Sequence, residues 1–175
     1  MILIAIDPGL DLGYSVWNAD DYNISTICKA LLQHGCSRRG RPETEAGRIK
    51  RVVGLCRNLR EIHEHHGLRV ISESQYYFPG MKNVKSIARL QETVGMMKAA
   101  FAGIPFETIS PNTWQGALLS KCPGKTTKDK SLYRAEQLTG MGFKNHNETD
   151  AILIGIYALD HLGWAKKLKE AGINA

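Results

Sequence analysis

The chain has 175 residues, 43% hydrophobic and 23% charged, with a formal net charge of +6; that composition excludes a disordered or fibrous chain and favours a polyanionic partner. No apolar run reaches the roughly 20 residues that span a bilayer, and the apolar start meets Asp7 and Pro8 too early for a secretory leader, so no membrane association and an intracellular location are expected. The four cysteines, Cys28, Cys36, Cys56 and Cys122, form no CxxC pair, which argues against a zinc knuckle or a disulfide framework.

Residues 2–6 are a continuous aliphatic run, the mark of a strand buried on both faces. Asp7-Pro8-Gly9 breaks it, and residues 13–17 resume an extended pattern, which predicts a hairpin. A third strand is expected within 23–32, followed by a polar, glycine-rich basic stretch over 35–42 that includes Arg38, Arg39 and Arg41. Residues 43–65 read as a helix, because Ile49, Val52, Val53, Cys56, Leu59 and Ile62 recur every three or four positions. A short buried strand over 68–72 ends at Glu73. A second amphipathic helix over 82–101 carries Val84, Ile87, Leu90, Val94 and Met97 on one face. Residues 106–109 supply a fifth strand, 111–139 a polar helix-loop-helix, and a last apolar helix begins near Asn147. The order predicts a single α/β domain over 1–175, with a mixed sheet whose first three strands form an antiparallel meander.

Three carboxylates stand at the edges of apolar runs: Asp7 after 2–6, Glu73 after Val70-Ile71, and Asp150 before Ala151-Ile152. Each alone has an ordinary explanation, as a turn former, a lysine partner or a first-turn acid. A carboxylate at a core boundary is costly without a partner, and three on three elements are most simply explained by shared cations. Oxygen donors without cysteine suit Mg²⁺ or Mn²⁺ rather than zinc. Two such ions support phosphodiester hydrolysis: one activates a water and the other stabilises the leaving oxygen.

The opening Ile2-Leu-Ile-Ala-Ile-Asp-Pro-Gly-Leu-Asp-Leu-Gly-Tyr14 resembles that of RuvC-like Holliday junction resolvases, and the resemblance continues at three more places. Val70-Ile-Ser-Glu73 resembles the family's strand ending in a catalytic glutamate. Met81-Lys-Asn-Val-Lys-Ser-Ile-Ala-Arg-Leu90 is similar to its central helix, and Thr149-Asp150-Ala-Ile-Leu-Ile-Gly155 to its closing helix with a catalytic aspartate. Pro111-Asn-Thr-Trp114 with Lys130-Ser131 looks most like the compact resolvases of phages and related elements.

The resemblance implies a ribonuclease H-like fold and assigns Asp7, Glu73 and Asp150 as catalytic metal ligands. The family's fourth ligand lies one helical turn before the last aspartate, where this chain has Asn147 at i−3 and His146 at i−4. His146 is preferred, because imidazole binds a metal or shuttles a proton better than an amide; Asn147 is the second choice, or the N-cap of a helix beginning there. Lys130 matches a family lysine near the scissile phosphate, whereas Gln115 replaces another. Tyr76, Tyr77 and Phe78 resemble aromatics that stack on bases, and Lys82, Lys85, Lys125, Lys128 and Lys130 are the expected basic DNA contacts, the last three on a loop with Gly124. The implied function is a homodimeric, magnesium- or manganese-dependent crossover junction endodeoxyribonuclease of DNA recombination and repair, with two ions per site and helix 82–101 contributing to the dimer. It would nick opposed strands of four-way DNA junctions in the cytoplasm, the host's if phage-encoded. The alternatives are a ribonuclease H-like nuclease acting on flaps or RNA–DNA hybrids, an actin-like ATPase fragment, for which the chain is too short, and an inactive DNA-binding module.

Overall fold

The computed structural model describes residues 1–9, 11–23, 25, 27–38, 43–63, 65–74 and 84–164. Its elements are β1 (Ile2–Asp7), β2 (Leu12–Asn18), α1 (Ile27–Ala30), β3 (Leu31–Ser37), α2 (Glu45–His63), β4 (Leu68–Glu73), α3 (Val84–Ala100), β5 (Phe106–Ile109), α4 (Pro111–Leu119), α5 (Thr127–Thr139) and α6 (His146–Asp160). The strands form a five-stranded mixed sheet in the order β3-β2-β1-β4-β5. The first three are antiparallel neighbours, and β1, β4 and β5 run parallel.

The alternation of side chains along β1 creates two cores. Ile2, Ile4 and Ile6 pack with Val52, Cys56 and Leu59 of α2 and Val94 and Met97 of α3. Leu3 and Ala5 face the other way, onto Trp114 of α4, Ala135 of α5 and Ile152, Leu153 and Ile156 of α6. Residues 151–159 are all buried, which a helix achieves only with partners on several sides. Here the partners are β1, β2 and β4 on one side and α4 and α5 on another.

Two glycines seat α6 on β2. A β-carbon at Gly13 would stand 1.8 Å from the Asn147 carbonyl oxygen, and one at Gly155 would stand 2.1 Å from Trp17 Nε1. Between them the Ser15 hydroxyl donates to the Ala151 carbonyl at 2.8 Å and accepts from Trp17 Nε1 at 2.8 Å. The polar groups of this dry seam therefore satisfy one another.

Several expectations change. The third strand is Leu31–Ser37, not 23–32; Ile27 and Ala30 are buried on the single turn of α1. As the edge strand, β3 has no fully buried residue, so it lacks the apolar alternation that marks a strand, and the polar stretch expected from residue 35 begins later. On α2, Ile49 and Ile62 are 43% and 56% exposed, and Val84 on α3 is 45% exposed; the apolar stripe of this layer is wider than the face the sheet covers. Lys128 and Lys130 lie not on a loop but at the start of α5, which Thr126 and Asp129 close with a reciprocal capping box. The cap of α6 is Asn145, whose side chain accepts from Asn147 N–H, so Asn147 is not the N-cap. No helix of the described residues is long and apolar enough to cross a membrane.

Candidate active site

Asp7 ends β1 and Glu73 ends β4. Their parallel register pairs Ile6 with Ser72, so one residue further Asp7 stands beside Glu73, on strands about 4.8 Å apart. Both acids continue the odd-numbered rows of Leu3, Ala5 and Ile71, which face the core of α6. Asp7 pairs with Gly13 across the hairpin. The close approach of Gly13 to Asn147 then brings the start of α6, and Asp150 in its second turn, over the ends of β1 and β2.

The carboxylates feel one another. Asp7 is only 7% exposed; burial raises its pKa well above the usual range, and the charges of Asp150 and Glu73 raise it further. Gly9 N–H opposes this by donating to Asp7 Oδ1 at 3.1 Å. Burial lifts Glu73 to about 7, against the indole of Trp114, which donates to Glu73 Oε2 at 2.9 Å, and with a further push from Asp150. Burial lifts Asp150 to about 6, opposed by the nearby Ser131 hydroxyl and by Lys128. Each pair within the trio therefore repels.

The three acids are electrostatic neighbours rather than a closed shell. Among the described residues, no three or more His, Cys, Asp or Glu side chains stand close enough to hold one metal ion together as they are placed. Asp150 Oδ1 and the neighbouring Ser131 Oγ are both buried, and although the hydroxyl lowers the Asp150 pKa no well-formed hydrogen bond satisfies either atom. An orphaned carboxylate oxygen among like charges is costly unless a proton or a cation reaches it. That orphan and the all-oxygen donors fit a hard divalent cation.

The flanking residues divide differently from expectation. A β-carbon at Gly9 would lie 3.4 Å from both Asn147 Oδ1 and Asp7 Oδ2, so the Asn147 amide oxygen and the Asp7 carboxylate both lie beside Gly9. Burial lowers the pKa of His146, the preferred fourth ligand from sequence, and the charges of Lys128 and Asp11 act on it as well. Glu148 turns to the edge strand and meets His34 at 2.5 Å. Lys128 acts on Asp150 and His146. Lys130 is half-buried and packs over Gly124, its Cγ 3.1 Å from where a β-carbon there would stand. Lys125 and Lys85 are exposed. Tyr76, Tyr77, Phe78 and Lys82 lie outside the described residues. Trp114, Ser131 and Gly13 stand in the motifs that carry the family resemblance, but sequence alone assigned none of them a role at the site.

No protein-family model matches the chain, and no curated protein sequence does. Among solved structures it is similar to Thermus thermophilus RuvC in complex with a Holliday junction substrate, at 20% identity and a TM-score of 0.65, over 95% of this chain and 96% of that one. The structure of Thermus thermophilus RuvC without that description of a substrate matches at the same 20% identity and 0.65, with the same coverage. At this identity the likeness is one of architecture, and it spans nearly the whole of both chains. The chain thus has the ribonuclease H-like fold of RuvC, with an antiparallel meander joined to two parallel strands and flanked by helices.

Proposed function

We propose that the protein is a divalent-metal-dependent endonuclease that binds four-way DNA junctions and resolves them by paired nicks. The observation that carries this is the placement of three buried or part-buried carboxylates, Asp7, Glu73 and Asp150, contributed by β1, β4 and α6 at the carboxyl ends of the two parallel strands, close enough for their charges to raise one another's pKa. The RuvC of the similar structure is described with a Holliday junction substrate, which supports the choice of DNA substrate.

Asp7, Glu73 and Asp150 would hold Mg²⁺ or Mn²⁺, two per site, with the Asn147 amide oxygen as a further donor and His146 as the second candidate. When bound, the ions supply water activation and stabilisation of the leaving oxygen. Trp114 orients Glu73 through its 2.9 Å hydrogen bond. Gly9 N–H orients Asp7. Lys128 places a positive charge near Asp150, where it neutralises part of the charge on the reacting phosphate. Lys130, Lys125, Lys85 and Lys82 are proposed to follow the DNA backbone, and Tyr76, Tyr77 and Phe78 to stack on bases. Paired cuts require two active sites and hence a homodimer; the half-exposed Val84 on α3 supports an apolar contact there.

Incubation of a synthetic mobile junction with the protein, with and without Mg²⁺, tests the proposal. Paired nicks are expected only with metal. Asp7→Asn, Glu73→Gln and Asp150→Asn are each expected to lose nicking by at least about a thousandfold while keeping junction binding in chelator, and retained cutting removes that residue from the site. Flap and RNA–DNA hybrid substrates run alongside: preferred cutting of either replaces the junction assignment with the other ribonuclease H-like activity.

A further inference from the structure

On the face of the sheet opposite α6, a cavity of about 440 Å³ opens between α2 and α3, with Gly9 and Leu12 in its wall. With Glu43 as the acid in its wall and Glu45 and Glu92 paired to Arg48, four cations line it among the described residues: Arg48, Arg51, Lys85 and Arg89. They do not have equal freedom. Arg48 spans the two helices: its terminal nitrogens donate to Glu45 and Glu92 at 2.7 Å each, and to the Arg89 carbonyl and Thr93 hydroxyl at 3.2 Å each. Arg51 is strapped by Glu43 at 2.7 and 3.2 Å and by the Ser37 carbonyl at 2.9 Å.

Those two arginines make a rigid wall and leave Lys85 and Arg89 as the cations able to take a ligand. Neither side chain makes a hydrogen bond or ion pair to a described residue, beyond a longer-range attraction of Arg89 to Glu45. They are four residues apart on α3 and so share a helix face. A planar guanidinium fork beside a compact ammonium is a combination that suits phosphate oxygens.

The cavity shares a wall with the carboxylate site. Gly9 lines it, and Gly9 N–H donates to Asp7 Oδ1 at 3.1 Å. Acids and cations therefore sit on opposite faces of one turn, at the carboxyl end of β1, the edge where ligands of such sheets bind. We propose that the cavity is a second DNA seat, in which Lys85 and Arg89 hold a backbone phosphate of a strand that passes the Pro8–Gly9 turn. This rests on the nuclease reading and adds to it Arg89, Ser86 in the cavity wall, and a contact on the layer opposite α6.

The test compares wild type with the double variant Lys85→Gln, Arg89→Gln. Junction binding is measured by fluorescence anisotropy in chelator over a range of NaCl, and thermal midpoints are recorded alongside. The plot of log K against log salt is expected to flatten by about 0.9 for the one phosphate lost, with an unchanged midpoint. An unchanged slope in a variant that folds and binds normally overturns the seat. Sodium phosphate that raises the wild-type midpoint but not the variant's, with no change in the DNA slope, assigns the cavity to free phosphate and also overturns it. Nicking by wild type in Mg²⁺ separates the two proposals: nicking with an unchanged slope sinks the cavity alone, and a flattened slope without any nicking sinks the nuclease alone.

Discussion

Where α6 meets β2, a β-carbon at Gly13 or Gly155 would collide with Asn147 or Trp17; on the exposed sides of α2 and α3, Gly54 and Gly95 have nothing within 4 Å of where one would stand. The difference separates two ways of positioning chemistry. The acids are placed by backbone contact, because α6 is pressed onto β2 and its first turns carry Asn147 and Asp150. The cations are placed by long side chains on amphipathic helices, held apart by the Arg48 and Arg51 struts. A carboxylate trio proposed to share cations would need sub-ångström support, whereas a phosphate contact would tolerate a side chain that swings.

The largest effect is expected from breaking the tight face. Gly13→Val puts atoms where the Asn147 carbonyl stands; it is expected to cost about 1–3 kcal/mol or more through overpacking and to reduce nicking by about a hundredfold through displacement of Asp150. Thermal denaturation and single-turnover cutting measure the two losses. Wild-type cutting by this variant would show that α6 need not be seated by Gly13.

Next comes pH. In metal-free protein, Glu73 at about 7 and Asp150 at about 6 lie above their ordinary values of 4.5 and 3.8. The folded state therefore binds more protons than the unfolded state in this window. The corresponding stability is complete below about pH 4 and is lost as pH rises through 6 to 7. A fall on the order of 2–3 kcal/mol between pH 5 and 8 is expected in chelator, smaller in Asp150→Asn and offset by saturating Mg²⁺. Denaturant midpoints across pH check it, and a flat profile would mean that burial does not hold these carboxyls protonated.

A smaller effect follows from Trp114→Phe. It removes the 2.9 Å hydrogen bond to Glu73, at a cost of about 1–2 kcal/mol. Because that bond lowers the Glu73 pKa, the acidic limb of the nicking profile should move to higher pH. A pH–rate series reads this, and an unmoved limb removes Glu73 from the rate-determining ionisation.

The smallest effect belongs to the exposed glycines of the α2–α3 layer. Gly54→Ala and Gly95→Ala meet no atom and relieve a helix-interior glycine, so each is expected to stabilise by about 0.5–1 kcal/mol with nicking unchanged. Destabilisation of a size like that of Gly13→Val would erase the contrast between the layers.

The sequence alone determined which residues belong to strands and helices wherever burial imposes a period. The two-sided core strand β1, the helices α2 and α3, and the apolar helix α6 are all legible, because apolar side chains must recur on the faces that leave water. The same logic marked Asp7, Glu73 and Asp150 as charges standing where cores end. It failed for β3, whose edge position leaves its residues half in water and therefore without a period. Tertiary structure alone decided that the three acids are neighbours, since a one-residue shift between β1 and β4 would turn one of them to the other face. It also decided that Asn147 lies beside Gly9, and that Lys128 acts on Asp150. Those choices depend on the rotation of a helix about its axis. Two glycines set that rotation for α6 through contacts with residues far away in the chain, which no local pattern encodes.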